Sequence, residues 1–281
     1  MLLGAHVPNK GGAYKSYAFA DDWQCTAMQI FTKSPSQWAA KTLNDEECAA
    51  FSAAGKTSDV KVVTAHDSYL INLASPDPTI LGKSQNAFRI ELERCEQYAI
   101  PFLVTHMGSH MGAGEEAGLK QLAASLDKVH VELPGYKVKV LLEATAGQGK
   151  HLGYKFEHLA QTLDAVQANE RLGICLDSCH IFVAGYDIRD EKSYKRTMKE
   201  FGRIVGFERL LCFHLNDAKQ ELGSRIDRHE RIGKGKIGKE AFRLIMRDRR
   251  LAKVPKIIET PELEEKGQAD LALLRKLSSE R

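Results

Sequence analysis

Short apolar segments alternate with longer helical segments along almost the whole 281-residue chain, and this alternation constrains the fold more than any other feature. Eight segments are rich in β-branched residues or leucine, are bounded by turn residues, and are short enough to be strands. They lie at 2–7, 26–31, 60–66, 101–106, 137–143, 172–177, 209–215 and 256–259. Strands that alternate with helices predict a parallel sheet with helical crossovers.

Helical periodicity fills the intervals between these strands. The predicted helices lie at 38–55, 84–99, 115–131, 155–168, 191–205, 239–249 and 270–277, and the first interval, around 12–20, shows the weakest pattern. Eight strand–helix units of this total length are typical of a closed (β/α)₈ TIM barrel, with an open doubly wound sheet as the structural alternative. Since no linker or low-complexity segment interrupts the pattern, we predict a single barrel domain over residues 1–281.

Composition and charge exclude few classes of function. The 40 basic and 37 acidic side chains give a net charge of only +3, which does not by itself indicate a nucleic-acid-binding protein. The six cysteines form no CxxC pair, which argues against a cysteine-rich zinc module and favours reduced core thiols. The N-terminal segment turns polar too soon for a signal peptide, and no apolar run could span a bilayer. We therefore expect a cytoplasmic protein without a membrane partner.

Six successive predicted strands each end in a histidine or a carboxylate. These residues are His66, His106, Glu143, Asp177, His214 and Glu259. In a parallel barrel the C-terminal strand ends meet at one mouth, where barrel enzymes place their sites. Carboxylates at this density would repel one another unless cations were bound, and imidazole with carboxylate suits zinc, manganese or iron.

A second group comes from the segments beside these strands. His180 follows Asp177 by three residues, and Asp227 and His229 lie two apart in the loop after the seventh strand. In extended backbone, Asp227 and His229 would project to the same side. Two histidines and one aspartate are enough protein ligands for a zinc ion that keeps an open position.

The remaining histidines lack such a pattern. His130 and His158 fall in predicted helices and are expected on the surface. His6, His110 and His151 could lie near the mouth but have no partner spacing, so they are left out of the metal set.

Several sequence blocks resemble the endonuclease IV type of apurinic/apyrimidinic endonuclease. They are GAHV, AHDSYLINLASP, TAGQG, LDSCHIFVAGYD, HLNDAK, DRHERIGKG and IIETPE, in the order of that family and over nearly the whole chain. The resemblance implies a zinc-dependent barrel enzyme that hydrolyses the phosphodiester 5′ to an abasic site in double-stranded DNA, leaves a 3′-hydroxyl, and trims blocked 3′ ends. We expect it to act on chromosomal DNA as a monomer.

The resemblance also allocates the ligands among three zinc ions. It implies that His66, His106 and Glu143 hold the first ion, and that Glu143 bridges to a second ion held also by Asp177, His214 and Glu259. His180, Asp227 and His229 would hold the third. We expect Glu143 and Glu259 to be the catalytic carboxylates, Glu259 by orienting the attacking water. The spacing alone does not distinguish zinc from manganese at any one site.

Tyr69 resembles a family residue that contacts DNA at the lesion, and packing of Tyr69 beside its own loop is the alternative. Three positions depart from the family pattern. Met107 replaces a proline, Ala144 replaces an asparagine, and Ser36 stands where relatives can carry an arginine that enters the DNA stack. None of these changes removes an expected ligand, but Ser36 puts in doubt how strongly the protein distorts its DNA.

Two other functions fit part of the pattern. A sugar isomerase or epimerase could use Glu143, Asp177, His214 and Glu259 around a single metal, without need of the other five residues. A DNA-binding protein with purely structural metals is the third possibility. Metal content and turnover of sugar or DNA discriminate the three.

Overall fold

Eight parallel strands close into a barrel. The computed structural model describes residues 1–279. Its strands, in chain order, are β1 Leu3–His6, β2 Ala27–Phe31, β3 Val62–His66, β4 Phe102–His106, β5 Lys139–Glu143, β6 Leu172–Asp177, β7 Leu210–His214, β8 Asp217–Ala218, β9 His229–Glu230 and β10 Lys256–Ile258. The barrel order is β1-β10-β7-β6-β5-β4-β3-β2, closed by parallel pairing of β1 with both β10 and β2, while β8 and β9 form a separate antiparallel ribbon. The predicted TIM barrel is confirmed.

An outer ring of helices packs around this barrel. The helices are α1 Ser16–Asp22, α2 Asp45–Thr57, α3 Pro78–Gln97, α4 Glu115–Glu132, α5 Phe156–Ala165, α6 Ser178–Ala184, α7 Glu191–Ile204, α8 Lys239–Arg247 and α9 Leu263–Ser279. Short 3₁₀ turns lie at Ala13–Lys15, Asn169–Arg171, Phe207–Arg209 and Arg249–Leu251. No helix in residues 1–279 combines the length and apolarity needed to cross a membrane.

Helices α2, α3 and α9 begin well away from the predicted residues because of local capping and packing. Helix α3 begins at Pro78 rather than at residue 84, since Asp77 caps it. Helix α2 begins at Asp45 rather than at residue 38, since Asn44 and Glu47 form a reciprocal capping box. Helix α9 begins at Leu263, seven residues earlier than predicted. It includes Gly267, where a Cβ atom would lie only 2.8 Å from the indole of Trp23, so this glycine allows close helix packing.

Small and medium-sized side chains fill the barrel interior below the mouth. The layer consists of Ala27, Val104, Leu141, Cys175, Cys212 and Ile257, all fully buried. A filled interior means that polar strand-end residues can extend only towards the C-terminal mouth. The polar strand-end residues of the barrel therefore lie together at its C-terminal mouth.

The expectation that His130 and His158 lie on the surface is wrong. Both are buried, with relative exposures of 5% and 3%. His158 is bonded to Glu115, whereas neither ring nitrogen of His130 has a hydrogen-bond partner among the described residues. The neighbouring Arg171 donates to the backbone carbonyls of His130 and Leu133. Helical periodicity did not reveal that this face of α4 turns inward.

The burial of His130 predicts an acid-sensitive fold. Burial, reinforced by the positive charge of Arg171, lowers the pKa of His130 to about 4, whereas an unfolded chain would show about 6.5. The folded state holds His130 in its neutral form. The contribution of His130 to the free energy of unfolding is therefore fully present above about pH 6.5 and is lost as the pH falls towards 4. Protonation of His130 should cost the wild type about 3 kcal/mol of unfolding free energy by pH 4, and His130→Leu should not show this loss.

The measurement is thermal unfolding of wild type and His130→Leu between pH 7.5 and pH 4. The two curves of melting temperature against pH should diverge below about pH 6.5, with the wild type falling more steeply. Parallel curves over the whole range would show that His130 does not resist protonation in the fold.

Candidate metal centre

Strand ends bring the first group of side chains together around Glu143. This glutamate ends β5 with only 1% of its surface exposed. Its Oε2 lies 3.2 Å from His66 Nε2 at the end of β3 and 3.2 Å from His106 Nε2 at the end of β4. Adjacent strands with matched register thus aim two imidazoles at one carboxylate oxygen.

The second oxygen of Glu143 faces the next strands of the barrel. Oε1 lies 3.0 Å from His214 Nδ1. The same Nδ1 lies 3.4 Å from Glu259 Oε2 and 4.0 Å from Asp177 Oδ2. Glu143 therefore stands between two groups and offers one oxygen to each.

The third group lies beside the second and is built partly by loops. His180 Nε2 lies 3.1 Å from Asp227 Oδ2, and His229 Nε2 lies 3.4 Å from Asp227 Oδ1 and 3.7 Å from Asp177 Oδ2. Asp177 caps helix α6 by accepting from the backbone N–H groups of Cys179 and His180, which fixes His180 at the mouth. His229 is held by β9, which pairs with β8.

Four of the five histidines have one ring nitrogen occupied by an oxygen acceptor outside the cluster. Nδ1 of His66 donates to the Asp67 carbonyl, that of His180 to Ala144 and that of His229 to Glu259, at 2.9, 3.0 and 3.2 Å. His214 instead donates from Nε2 to the Gln29 side-chain oxygen at 2.9 Å. This pattern leaves the other nitrogen of each ring as a lone-pair donor directed at the cluster, as in metal sites.

The donor set fits divalent cations of intermediate softness. The nine side chains supply five imidazoles and four carboxylates, and three-residue subsets such as His66–His106–Glu143 and His180–Asp227–His229 bring their ligand atoms within 4.8 Å of one another. The Nε2 atom of His229 is buried, and among residues 1–279 it has no hydrogen-bond partner. A buried lone pair without a donor is costly, and a cation would satisfy it.

Electrostatic attraction keeps Glu143 ionised. Burial would raise the pKa of Glu143, but the charges of His214 and His106 outweigh it and hold the pKa well below its usual range. For His66, burial lowers the pKa, while the hydrogen bond to Glu143 and its charge raise it to about 9. Protons and divalent cations would therefore compete for these imidazole nitrogens.

Sequence reasoning missed two residues that support Glu259. His6 ends β1, and its Nδ1 lies 3.2 Å from Glu259 Oε1. Gln29 on β2 donates to the same oxygen at 2.5 Å and accepts from His214. His6 lies at a strand end like the predicted ligands, but it was left out of the predicted site because no second candidate lies at ligand spacing from it. Gln29 lies two residues before its strand ends and is not a charged residue, so no signal pointed to it.

Tyr69 borders a cavity of about 470 Å³ at the mouth. Its side chain is 69% exposed, and its ring centroid lies 5.4 Å from that of Phe31 and 6.3 Å from that of His66. The ring therefore combines packing on one side with a surface open to solvent on the other.

The positions that depart from the family pattern keep the cluster geometry. The backbone carbonyl of Ala144 accepts a hydrogen bond from His180 Nδ1, and this bond does not depend on the side chain at position 144. Met107 is fully buried against Gly153. Ser36 is exposed in the loop after β2, where its hydroxyl bonds Ser34.

The fold and the strand-end cluster define a class of barrel enzyme, and a family model described as xylose isomerase-like TIM barrel matches residues 17–277. The "probable endonuclease 4" of Chloroflexus aggregans is 51% identical over 277 residues, covering 98% of this chain and 97% of that relative. The crystal structure of endonuclease IV from Thermus thermophilus superposes with a TM-score of 0.86 at 31% identity, over 99% of this chain and 98% of that one. The chain belongs to the endonuclease IV family of nucleases.

A sugar epimerase shares the architecture but not the sequence. The D-psicose 3-epimerase from Clostridium cellulolyticum H10 superposes with a TM-score of 0.68 at 14% identity, covering 99% of both chains. At that identity the likeness extends to the fold alone.

The segment that carries Asp227 is fixed by an aromatic contact. The Arg225 guanidinium lies 3.9 Å from the centroid of the Tyr154 ring, and the Tyr154 hydroxyl donates to Glu115. The backbone N–H of Arg225 donates to Val183, and that of Asp227 donates to the side chain of Gln148. These contacts hold residues 219–228 against α6 and the loop after β5.

Replacing this ring with a non-aromatic side chain should loosen the segment. In Tyr154→Leu the cation–π contact is lost, at a cost of about 0.5–1 kcal/mol. Amide hydrogen exchange in residues 219–228 should then become about two- to fivefold faster. Tyr154→Phe keeps the ring and loses only the hydroxyl, so its exchange in this segment should match wild type. Equal acceleration in both variants would assign the effect to the hydroxyl bond with Glu115 instead.

Proposed function

We propose that this nuclease is a zinc-dependent repair enzyme that hydrolyses double-stranded DNA on the 5′ side of abasic sites, leaves a 3′-hydroxyl, and also trims blocked 3′ ends. The observation that carries the proposal is the convergence of nine imidazole and carboxylate side chains at the barrel mouth, with Glu143 and Asp227 each contacted by several histidines. The names of the relatives support an endonuclease, and the family resemblance supports the choice of lesion.

The three groups would hold three zinc ions. His66, His106 and Glu143 would bind one, and Glu143 with Asp177, His214 and Glu259 would bind another. His180, Asp227 and His229 would bind the third. Manganese is the alternative at the second group, where three carboxylates make the ligand set harder. Divalent ions held there would supply Lewis-acid chemistry, activating water for attack and neutralising charge on the phosphate.

Glu143 and Glu259 are assigned as the catalytic carboxylates. Glu143 is the buried bridge between two groups, with one oxygen directed at each. Glu259 is held at Oε1 by His6 and Gln29, while 20% of its side chain remains exposed to the cavity. It can therefore orient a water molecule for in-line attack on phosphorus while the 3′-oxygen of the preceding nucleotide departs with a proton.

The third group faces the incoming phosphate. The side chains of Asp227 and His229 are 37% and 20% exposed, whereas those of Asp177 and His214 are fully buried. The third group is therefore more accessible from the cavity than Asp177 and His214 of the second, and it would position the phosphate over these deeper side chains.

Substrate choice follows from the shape of the mouth. A nucleotide without a base has lost stacking and pairing, so its extrusion into a cavity costs less than that of an intact nucleotide. The exposed Tyr69 ring at the rim would pack against the distorted duplex. We infer that the whole chain acts as one barrel domain, as a monomer in the cytoplasm, on chromosomal DNA.

Five of the nine residues argue against a sugar isomerase. A single-metal isomerase would use Glu143, Asp177, His214 and Glu259. The same cavity is also lined by His66, His106, His180, Asp227 and His229. Four side chains already fill the coordination of a single zinc ion, so one ion would leave the other five without a role as ligands.

A duplex with one synthetic abasic site tests the proposed activity. The protein should nick this strand 5′ to the lesion and leave an undamaged duplex of the same sequence intact. Prolonged chelation should slow cleavage by at least about a hundredfold, and added zinc should restore it, because the ions activate water and neutralise charge. Cleavage that survives complete metal removal would contradict the proposal.

The third group is tested by His229→Ala. Loss of one of three ligands should remove about one ion per chain relative to wild type and reduce abasic-site cleavage by at least about a hundredfold. His151→Ala is the matched control, since His151 is an exposed histidine near the same mouth but outside the three groups. Unchanged metal content in His229→Ala would remove His229 from the ligand set.

A further inference from the structure

Positive charge is concentrated on one flank of the barrel. Segments 191–209 and 239–253 together contain twelve basic and five acidic residues, a net charge of +7 in a chain whose total is only +3. The remainder of the chain is therefore net negative, at −4. Such an asymmetry creates a local positive potential that the overall charge conceals.

Helix α7 directs its basic residues outward. Its inner face, which includes Tyr194, Met198 and Phe201, is buried. The exposed basic residues at helical spacing are Lys192, Lys195, Arg196, Lys199 and Arg203. Helix α8 and the turn after it continue the same flank with the exposed residues Arg247, Arg249, Arg250 and Lys253. We call these nine side chains the α7–α8 face.

Acidic neighbours neutralise little of this face. Lys195 pairs with Glu191, and Arg250 pairs with Asp248, both at 2.5 Å. Within residues 1–279 no ion pair is formed by the other seven, namely Lys192, Arg196, Lys199, Arg203, Arg247, Arg249 and Lys253. A groove of about 400 Å³ lies between the two helices. Its charged lining residues are four basic and two acidic, namely Lys195, Arg243, Arg247, Arg250, Glu191 and Asp248.

We propose that the α7–α8 face is a second, non-catalytic surface that binds the phosphate backbone of duplex DNA. It lies on the flank of the barrel, apart from the mouth that holds the nine-residue cluster. It would hold the protein on undamaged DNA while the mouth is free to receive a lesion. The proposal rests on the proposed function only in taking DNA as the partner.

The spacing of charge favours a nucleic acid. Lys192 and Arg203 are separated by about 16 Å along the helix axis, given a rise of 1.5 Å per residue. About five phosphates of one DNA strand occupy the same length. The face therefore offers five cations over a distance that holds about five phosphates.

The composition of the face argues against an acidic protein as the partner. Protein interfaces depend on aromatic and apolar anchors at their centre. The large exposed hydrophobic residues within 1–279 all lie elsewhere, namely Met1, Tyr14, Phe19, Tyr69, Met111, Val131 and Ile226. A surface with charge but no anchor suits sequence-independent phosphate contacts.

The test is binding of an undamaged duplex of about 30 base pairs by fluorescence anisotropy over a range of salt. The variant Lys192→Glu/Arg196→Glu/Lys199→Glu reverses three exposed charges on the face. The matched control Lys56→Glu/Lys83→Glu/Lys120→Glu makes the same charge change on α2, α3 and α4, where all three lysines are exposed. Circular dichroism and melting temperature confirm that both variants fold.

The face variant should bind at least about tenfold more weakly, and its plot of log affinity against log salt should be shallower by about two to three. The control should stay within about twofold of wild type. Equal weakening in both variants, or none in either, would overturn the proposal. So would tighter binding of wild type to polyglutamate than to DNA at equal charge, which would indicate an acidic protein partner.

Undamaged DNA separates this inference from the proposed cleavage activity. Failure to cut abasic sites would leave the binding result intact. On a duplex of about twelve base pairs with one abasic site, which covers only the mouth, the face variant should cut at the wild-type rate. If the face variant cut this short duplex at least about tenfold more slowly than wild type, the face would not be separate from the mouth.

Discussion

The placement of one buried carboxylate, Glu143, between imidazoles from several strands is the constraint on which the rest of the site depends. Its two oxygens are contacted from opposite sides, by His66 and His106 on one and by His214 on the other. A buried carboxylate is stable only when it is paired, and neighbouring strands deliver the partners. Because the strands lie in fixed parallel register, the distances among these side chains are set by the backbone.

The surrounding hydrogen bonds orient the cluster. Asn216 donates to Asp177 and accepts from the backbone N–H of Glu259, so one amide side chain links the ends of β6 and β10. Backbone carbonyls occupy the outer nitrogens of His66, His180 and His229. Such partners fix the tautomer and direction of each ring, which a strand-end position alone does not determine.

The sequence predicted the barrel because strand-forming and helix-forming segments alternate with the periodicities that each structure requires. The barrel and the family are confirmed, and the structure brings all nine predicted ligand residues to one mouth. Their roles as metal ligands stay a prediction. The β8–β9 ribbon was not foreseen, since its strands are two residues long and depend on tertiary pairing. Helix α6 was missed although Asp177 caps it, because the same residue also ends a strand.

The burial of His130 and His158 could not be predicted from helical periodicity. His130 and His158 were placed on the surface because helical spacing gives the faces of a helix but not which face packs on its neighbours. Gln29 was overlooked because its amide is uncharged, yet it connects His214 with Glu259. Such contacts arise from residues far apart in the chain and become visible only when the barrel has closed.

We propose that nine side chains form one multinuclear metal centre, and the metal content of the protein is the sharpest test of this proposal. The measurement is inductively coupled plasma mass spectrometry of the full chain, purified, loaded with zinc and freed of excess ion. We expect about three zinc ions per chain, since three complete ligand groups are present. A content of about one ion per chain would contradict it and would favour the alternative of a single-metal sugar isomerase or epimerase.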